Sequence, residues 1–250
     1  MKELLLSNKA IARGAWEAGV KFAAGYPGTP STEILESLVH YPEVHTQWSA
    51  NEKVAFEEGM GAAIGGLRVL VTMKHVGVNV AADALMVFPY AGTNGGFVFI
   101  SADDPGMHSS QNEQDNRYLA LMAKVPIIEP VTAQECKDFV GIGLDLSEEF
   151  DTPVMLRTTT RLAHHKGLVE LGKRGEVPLR EFTPDPKRFS VPIYRKQLRP
   201  QLEARLQRLT DYAESSPLNR IECAESSIGV VTAGIAYQYA REALPEAGML

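Results

Sequence analysis

One acidic residue of this chain, Glu52, lies at the predicted entrance of a helix, where its carboxyl group could face a ligand. It follows a turn in which Ser49 or Asn51 can cap a helix, and the helix dipole favours an acid in the first turn. Further along, Gly59 and Gly61 give the predicted helix a small face, on which a backbone or a flat ligand can pack closely. The stretch alone leaves two interpretations open: an exposed partner of the helix dipole, or an acid that faces a ligand.

Three other polar stretches each follow a short apolar run. They are Tyr26-Pro27-Gly28-Thr29-Pro30-Ser31-Thr32, then Lys74-His75-Val76-Gly77-Val78-Asn79, then Asp103 and Asp104 with the polar residues 107–117. Lys74 or His75 could bind the carboxylate of an organic acid, although His75 could equally be a hydrogen-bonded core residue. Thr29 could contact a ligand or simply precede Pro30 in an extended turn. Tyr26 could be a core residue whose hydroxyl group needs a partner.

Predicted strands and helices alternate over most of the chain. The strands are expected at residues 20–25, 44–48, 68–73, 96–101, 125–129 and 154–158. Helices are expected at residues 7–19, 30–38 and 133–149, and two more are expected to begin after residues 51 and 74. Ser7 and Thr132 are the expected caps of the first and the last of these helices. This alternation predicts an α/β fold, with a mostly parallel sheet and helices on both faces. Ligands of such sheets bind beyond the carboxyl ends of the strands, where all four polar stretches lie.

Taken together, these motifs resemble a known family. The Tyr-Pro-Gly-Thr-Pro-Ser-Thr segment, the Asn-Glu-Lys-Val-Ala segment around Glu52, the Lys-His segment and the Ser-Ala-Asp-Asp-Pro-Gly segment from Ser101 are similar to the pyrimidine-binding domain of thiamine-diphosphate-dependent 2-oxoacid:ferredoxin oxidoreductases. Within that family they look like the α subunits of the indolepyruvate type. The resemblance covers roughly residues 1–165 and continues more weakly to the end.

The resemblance implies thiamine diphosphate, bound between one domain that holds its diphosphate and Mg²⁺ and another that holds its aminopyrimidine ring. This chain resembles the second domain and lacks the Gly-Asp-Gly motif of the first, so Mg²⁺ is expected on another domain or chain. Because no Cys-x-x-Cys motif occurs, iron–sulfur clusters are also expected elsewhere in the complete enzyme. The implied partners are a second subunit or further C-terminal domains, ferredoxin, a 2-oxoacid and coenzyme A, in an oligomer.

The resemblance also implies roles for single residues. Glu52 matches the family's catalytic glutamate, whose carboxyl group favours the imino tautomer of the aminopyrimidine; burial beside an apolar ring keeps the necessary proton in place. The implied cofactor-binding residues are Glu52, Tyr26, Val76 and Gly77, and the implied substrate-binding residues are Thr29, Lys74, His75 and Asp103. Gly77 is expected to let the backbone approach the ring. Glu57 and Glu58 are expected on a solvated helix face.

One departure from the family concerns the substrate. Pyruvate-using relatives carry an arginine for the substrate carboxylate just after the strand that matches residues 97–101, where this chain has Asp103 or Asp104. Because an acid cannot pair with a carboxylate, pyruvate is disfavoured. The resemblance implies that an arylpyruvate such as indolepyruvate is oxidatively decarboxylated to an aryl-acetyl-CoA with ferredoxin as electron acceptor, and a larger apolar side chain must then be held. Two alternatives remain: a pyrimidine-domain subunit of a non-oxidative thiamine-dependent 2-oxoacid decarboxylase, and a non-catalytic docking module.

Composition limits the other classes of function. The 250 residues carry a net charge of -6, which disfavours nucleic acid as a partner. No apolar run approaches the roughly 20 residues of a membrane span, and the N-terminus does not have the pattern of a signal peptide. The isolated Cys136 and Cys223 predict a reducing compartment, the cytoplasm. His164 and His165 are expected to face solvent, and no metal is assigned to them.

Three parts of the chain are predicted. Residues 1–165 form the pyrimidine-binding α/β domain, residues 166–225 a connector with a charged helix at 196–214, and residues 226–250 the first strand–helix unit of an incomplete second α/β domain. Residues 160–195 are rich in basic residues and proline and are expected to be ordered only by packing. A lone strand–helix unit cannot bury its faces, so the chain is expected to be a fragment of a longer protein or a split subunit.

Overall fold

The computed structural model describes residues 1–188, 191–222 and 226–250. Its strands are β1 (Lys2–Leu6), β2 (Phe22–Gly25), β3 (His45–Trp48), β4 (Val69–Lys74), β5 (Phe97–Asp103), β6 (Ile127–Ile128), β7 (Val154–Thr159), β8 (Lys166–Glu170), β9 (Gly229–Val230) and β10 (Gly248–Met249). Its helices are α1 (Ser7–Glu17), α2 (Thr32–Leu38), α3 (Glu52–Ile64), α4 (His75–Val80), α5 (Ala82–Ala91), α6 (Arg117–Ala123), α7 (Ala133–Phe150), α8 (Thr160–Ala163), α9 (Pro192–Ser215) and α10 (Ala236–Ala243). A 3₁₀ turn, Pro186–Arg188, precedes α9.

The centre of the fold is a sheet with the strand order β3-β2-β4-β5-β7-β6. Its neighbouring strands are all parallel: Gly25 lies opposite both Trp48 and Thr72, and Ala102 lies opposite both Lys74 and Thr158. The carboxyl ends of these strands therefore meet at one edge of the sheet. The predicted α/β class is confirmed, with a central sheet that is wholly rather than mostly parallel.

Each face of this sheet carries its own hydrophobic core, because alternate residues of a strand point to opposite sides. On β5, Val98 and Ile100 belong to the core beneath α1, α2 and α7, whereas Phe97 and Phe99 belong to the core beneath α3, α5 and α6. The ring of Phe56 from α3 lies edge-on to that of Phe99, with centroids 5.4 Å apart. The middle of α3 is thus fixed to the sheet, and its N-terminus lies at the carboxyl edge.

The N-terminus of α3 is held by side-chain hydrogen bonds. Asn51 has an extended backbone and accepts a hydrogen bond from the Val54 amide (3.0 Å), so Asn51 rather than Ser49 caps the helix. Glu58 was predicted to lie on a solvated helix face, and this prediction is wrong. Its carboxylate accepts hydrogen bonds from Gln47 (2.8 Å) and Ser49 (2.5 Å) and ties α3 to the end of β3.

Two glycines of α3 meet very different surroundings. A Cβ atom on Gly59 would lie 2.6 Å from a methyl group of Val71, so α3 packs against the sheet at a distance that only glycine allows. A Cβ atom on Gly61 would have nothing within 4 Å. The predicted close approach therefore holds for Gly59 and not for Gly61.

The N-terminal segment differs from the prediction. β1 pairs antiparallel with β8, and Leu4 lies opposite Leu168. Ser7 consequently leads from a strand into α1 without capping it, and its amide and hydroxyl groups both donate to the carbonyl of His165. The stretch 160–195, which was expected to be ordered only by packing, thus begins with α8 and β8. Local periodicity cannot reveal such a pairing, since Ser7 and His165 are 158 residues apart in the chain.

The C-terminal residues also form more structure than expected. β9 pairs in parallel with β10, so the expectation that the last strand–helix unit has no partner strand is wrong. α9 begins at Pro192, before the predicted start at residue 196. Cys223 lies outside the described residues, whereas Cys136 is a buried free cysteine. The domain boundaries at residues 165 and 225 stay predictions.

Helix α6 was not predicted, because residues 118–123 are all apolar and show no helical periodicity. Tyr118, Leu121 and Met122 are each more than half exposed, at 73%, 70% and 63%. His164 and His165 are both exposed, as predicted. In the described ranges, no helix is both long and apolar enough to cross a membrane.

Candidate active site at the carboxyl edge of the sheet

Four segments that the sequence singled out converge at the carboxyl edge of the sheet. They are the turn 26–32 after β2, the start of α3 after β3, the start of α4 after β4, and the loop 104–116 after β5. Because β2, β4 and β5 are adjacent in the sheet, the segments that follow them are neighbours in space. This convergence is the structural basis of the candidate site.

Glu52 is the first residue of α3, directly after the Asn51 cap. Its side chain lies against Gly77 of α4: a Cβ atom on Gly77 would be 2.6 Å from both Cγ and Oε1 of Glu52. Glu52 is partly exposed, less buried than was expected. Among the described residues its carboxylate has no hydrogen-bond or ion-pair partner. Gly77 therefore makes room for the acid itself, and the neighbouring Val76 is partly exposed on the same helix.

The turn after β2 presents exposed side chains at this edge. Tyr26 is 40% exposed and Trp48, at the end of the adjacent β3, is 44% exposed, so Tyr26 is not a core residue. Thr29 is exposed and is joined to Pro30 by a cis peptide bond. A Cβ atom on Gly28 would lie 3.2 Å from Cβ of Lys74, which places the turn alongside the end of β4.

Lys74 and His75 are both buried and hold the loop 104–116 over the end of β4. Nζ of Lys74 donates to the carbonyl of Ser109, and Nε2 of His75 lies 3.1 Å from the carbonyl oxygen of Asn112. Nδ1 of His75 has no partner among the described residues. The two predicted substrate-binding side chains thus each contact a carbonyl group of the loop.

Asp103 ends β5 and is fully buried. Its carboxylate accepts hydrogen bonds from Nε of Arg157 (2.7 Å), the hydroxyl of Ser101 (2.8 Å) and the amide of Asn116 (3.2 Å). Burial raises the pKa of Asp103, although the charge of Arg157 and the hydrogen bond from Ser101 oppose that shift. Protein donors thus enclose this carboxylate on several sides.

Sequence reasoning missed Arg157. This residue lies on the buried strand β7, and its guanidinium group also donates to the carboxylate of Glu129. A charged residue inside an apolar strand needs a charged partner, and that signal was present in the sequence. The identity of the partner was not, since Arg157 and Asp103 are 54 residues apart.

Asp104 anchors the loop that follows β5. It is nearly fully buried and accepts hydrogen bonds from the Ser109 amide (2.8 Å), the Ser110 hydroxyl (2.5 Å) and the Thr160 hydroxyl (2.6 Å). Burial by itself would raise the pKa of Asp104, but these hydrogen bonds outweigh it and hold the pKa well below its usual range. Asp104 is therefore an ionised structural anchor for the loop.

Comparison with known proteins shows the family to which this chain belongs. A family model described as pyruvate flavodoxin/ferredoxin oxidoreductase, thiamine diphosphate-binding, matches residues 13–210. The chain therefore belongs to this family of thiamine-diphosphate-binding 2-oxoacid oxidoreductases. The resemblance that the motifs suggested is confirmed.

Within the family, the chain is similar to indolepyruvate oxidoreductase subunits. IorA of Archaeoglobus fulgidus is 46% identical over 97% of this chain and 41% of the relative. IorA of Pyrococcus horikoshii is 41% identical over 99% of this chain and 40% of the relative. The 2-oxoglutarate synthase subunit KorA of Methanothermobacter thermautotrophicus is 29% identical over 74% of this chain and 53% of the relative. The chain spans about two fifths of the length of these IorA subunits.

A solved structure shows the same fold. The 2-oxoglutarate:ferredoxin oxidoreductase from Magnetococcus marinus, with 2-oxoglutarate, coenzyme A and succinyl-CoA bound, superposes with a TM-score of 0.78. The match covers 99% of this chain and 53% of that chain, at 15% identity. At this identity the likeness concerns the fold, and it confirms the predicted α/β architecture of the thiamine-dependent oxidoreductases.

Proposed function

We propose that this chain supplies the aminopyrimidine-binding part of a cytoplasmic thiamine-diphosphate-dependent oxidoreductase. The complete enzyme oxidatively decarboxylates an arylpyruvate of the indolepyruvate kind to an aryl-acetyl-CoA and passes the electrons to ferredoxin. Membership of the family supports thiamine diphosphate and the oxidoreductase class, and similarity to IorA subunits supports the indolepyruvate type. The observation that carries the proposal is the Glu52 carboxylate beside Gly77, without a protein partner in the described part of the chain.

The residues at this edge fit an aminopyrimidine ring. Glu52 offers a carboxyl group that can hold a proton at a ring nitrogen, and Gly77 leaves that group the space it occupies. The exposed rings of Tyr26 and Trp48 provide an apolar border at the ends of the neighbouring strands. When bound, thiamine diphosphate supplies the nucleophilic carbon for decarboxylation. We assign its diphosphate and Mg²⁺, and the iron–sulfur clusters, to a second subunit or to further domains.

We place the 2-oxoacid at Thr29, Lys74 and His75. The turn that carries Thr29 runs alongside Lys74, so these side chains can act on one ligand. Lys74 and His75 each contact a carbonyl of the loop 104–116, and a substrate carboxylate would take the place of those carbonyl groups. The loop then admits the substrate and covers it, which excludes water from the reacting groups.

We assign Asp103 a positioning role in place of direct contact with the substrate. Its carboxylate is enclosed by Arg157, Ser101 and the Asn116 amide. Asn116 in turn donates from Nδ2 to the carbonyl of His75 (3.0 Å). Asp103 therefore fixes the end of the loop and, through Asn116, the backbone at His75.

The test is Glu52→Gln in the complete enzyme, with Glu57→Gln as the matched control. Both residues lie on α3, but the Glu57 side chain is 51% exposed and pairs loosely with Lys53. Glu52→Gln removes the proton-holding group, and turnover of indolepyruvate should fall about 100-fold or more. Thiamine diphosphate binding by calorimetry and the thermal midpoint should stay close to wild type. Glu57→Gln should retain normal turnover; near-normal turnover of Glu52→Gln would overturn the proposal.

A further inference from the structure

A cavity opens beside β7, and Glu52 is not among the residues that line it. Its volume is about 300 Å³, and it lies between the segment 157–162 and the first turn of α10. β7 is two strands away from β4 in the sheet, so this cavity lies at the same carboxyl edge as Lys74 but at a different part of it. A volume near 300 Å³ is at the lower end of the range that binds small organic molecules.

Three arginines and one carboxylate, Glu129, line the cavity. Arg157 already binds Asp103 and Glu129. Arg117 binds both oxygens of Asp115.

Arg161 is the third arginine, and its charge is not neutralised by protein groups. In the described parts of the chain no carboxylate lies within ion-pair distance of it. Its guanidinium carbon lies 5.8 Å from the centre of the Tyr239 ring, and that ring also lines the cavity. A cation stacked on an aromatic face keeps its N–H groups free to bind an anion at its edge.

The remaining walls are largely apolar. Pro105, Pro130, Leu162, Ile235 and the Tyr239 ring contribute the apolar surface, and Thr158, Thr159 and Thr160 also line the cavity. Gly234 brings the first turn of α10 onto the opposite wall, where a Cβ atom on it would lie 4.0 Å from the carbonyl oxygen of Pro130. A ligand with an uncharged body can therefore be desolvated there.

We propose that this cavity binds a small monoanionic carboxylate with an apolar body, its carboxylate on Arg161 and its body against Ile235 and Tyr239. One unpaired guanidinium matches one carboxylate in charge and in the geometry of two parallel N–H···O bonds. A phosphate dianion carries two negative charges, of which the single unpaired guanidinium group of Arg161 would neutralise only one. Because the ligand would contact both the end of β7 and α10, its binding stabilises their mutual position.

The experiment is calorimetric titration of the 250-residue chain with phenylacetate, phenylacetamide and inorganic phosphate. Phenylacetate should bind saturably. Phenylacetamide, which has the same apolar body without the charge, should bind at least about tenfold more weakly. Arg161→Gln should weaken phenylacetate binding by about tenfold. The matched control is Arg208→Gln, because Arg208 is also exposed and lies over an aromatic ring, that of Phe150, away from the cavity.

A second readout does not depend on any variant. Hydrogen exchange of the wild-type chain should slow at residues 157–162 and 233–239 when phenylacetate is added. The proposal is overturned if phenylacetate does not bind saturably, if phenylacetamide binds equally well, or if phosphate binds more tightly. It is also overturned if Arg161→Gln and Arg208→Gln behave alike or if the slowed amides lie elsewhere. None of these outcomes depends on the role of Glu52.

Discussion

Two neighbouring parts of the same sheet edge treat their acidic residues in opposite ways. At the ends of β5 and β7, Asp103 and Asp104 are buried, and each accepts three hydrogen bonds from protein groups. After β3, Glu52 is partly exposed and has no hydrogen-bond partner among the residues that the structure describes. The aspartates serve the fold, whereas Glu52 is left available for a ligand.

The difference shows how to separate structural from functional acids on one edge. A buried carboxylate must be paired or hydrogen-bonded, so complete pairing, as at Asp103, marks a residue that the fold itself requires. Glu52 is different, because its carboxylate lies against Gly77 and has no protein partner among the described residues. A glycine at position 77 lowers the stability of helix α4, and no contact of Glu52 compensates for that loss. Such an arrangement is what the proposed binding of a ligand at Glu52 requires.

The largest effect is expected from Asp103→Asn. The substitution leaves the buried Arg157 with Glu129 and the more distant Asp115 carboxylate (3.8 Å) as its acidic partners. Removing one member of a buried ion pair costs about 3 kcal/mol of unfolding free energy. Urea denaturation measures this loss. The matched control is Asp115→Asn, whose partly exposed carboxylate lies 3.8 Å from Arg157; it should cost much less, and equal destabilisation by the two variants would contradict the pairing argument.

Gly77→Ala should separate activity from stability. The new Cβ atom would lie 2.6 Å from the Glu52 side chain, which is flexible enough to turn away at little cost to the fold. Unfolding free energy should change by less than about 1 kcal/mol, while turnover of the complete enzyme should fall about tenfold or more because the acid is misplaced.

The control for this prediction is Gly61→Ala on α3, where a Cβ atom meets nothing within 4 Å. It should stabilise the chain by about 0.5–1 kcal/mol and leave turnover unchanged. If Gly77→Ala retained full turnover, the position of Glu52 against Gly77 would not matter for catalysis.

Asp104 should make the loop sensitive to acid. Its pKa is lowered in the folded state, so its contribution to stability is fully present above a pH of about 4, where an unfolded aspartate is ionised. The contribution declines as the pH falls toward the lower folded-state pKa. Protection of the Ser109 amide, measured by hydrogen exchange, should therefore be constant near neutral pH and fall in acid.

Asp104→Asn should already show low Ser109 protection at neutral pH. Glu113→Gln is the matched control, because Glu113 accepts one exposed hydrogen bond from Gly106 in the same loop (2.9 Å). It should change the protection of Ser109 much less. Identical exchange in the Asp104→Asn chain and in wild type would show that the loop is held by other contacts.

The smallest effect is expected for the stability of Glu52→Gln. Because Glu52 has no protein partner in the described residues, the unfolding free energy should change by no more than about 0.5 kcal/mol. Thermal denaturation of the chain without cofactor measures it. A loss similar to that of Asp103→Asn would place Glu52 with the structural acids and remove the contrast between the two parts of the edge.

Local features were predicted well from the sequence. Asn51 caps α3, and Thr132 caps α7 by accepting a hydrogen bond from the Glu135 amide (3.1 Å). The positions of the central strands followed from β-branched runs, since strands buried on both faces of a parallel sheet must be continuously apolar. The placement of Glu52 and Lys74 at one edge followed from the same alternation.

Features that depend on distant residues were not predicted. The pairing of β1 with β8, the partnership of Asp103 with Arg157 and the contact of Lys74 with the Ser109 carbonyl all join positions far apart in the chain. α6 was missed because residues 118–123 are all apolar and show no periodicity, and only packing decides that Ala120 is buried while Tyr118 and Leu121 are exposed.

The sequence by itself therefore determined the fold class, the edge at which the site lies and the family, because caps, strand composition and short motifs are encoded within a few residues. Only the tertiary structure decided which acids are satisfied and which is free. The physical reason is that a carboxylate's hydrogen-bond partners come from whichever strands and loops pack around it. At this edge, folding gives Asp103 an arginine and gives Glu52 a glycine.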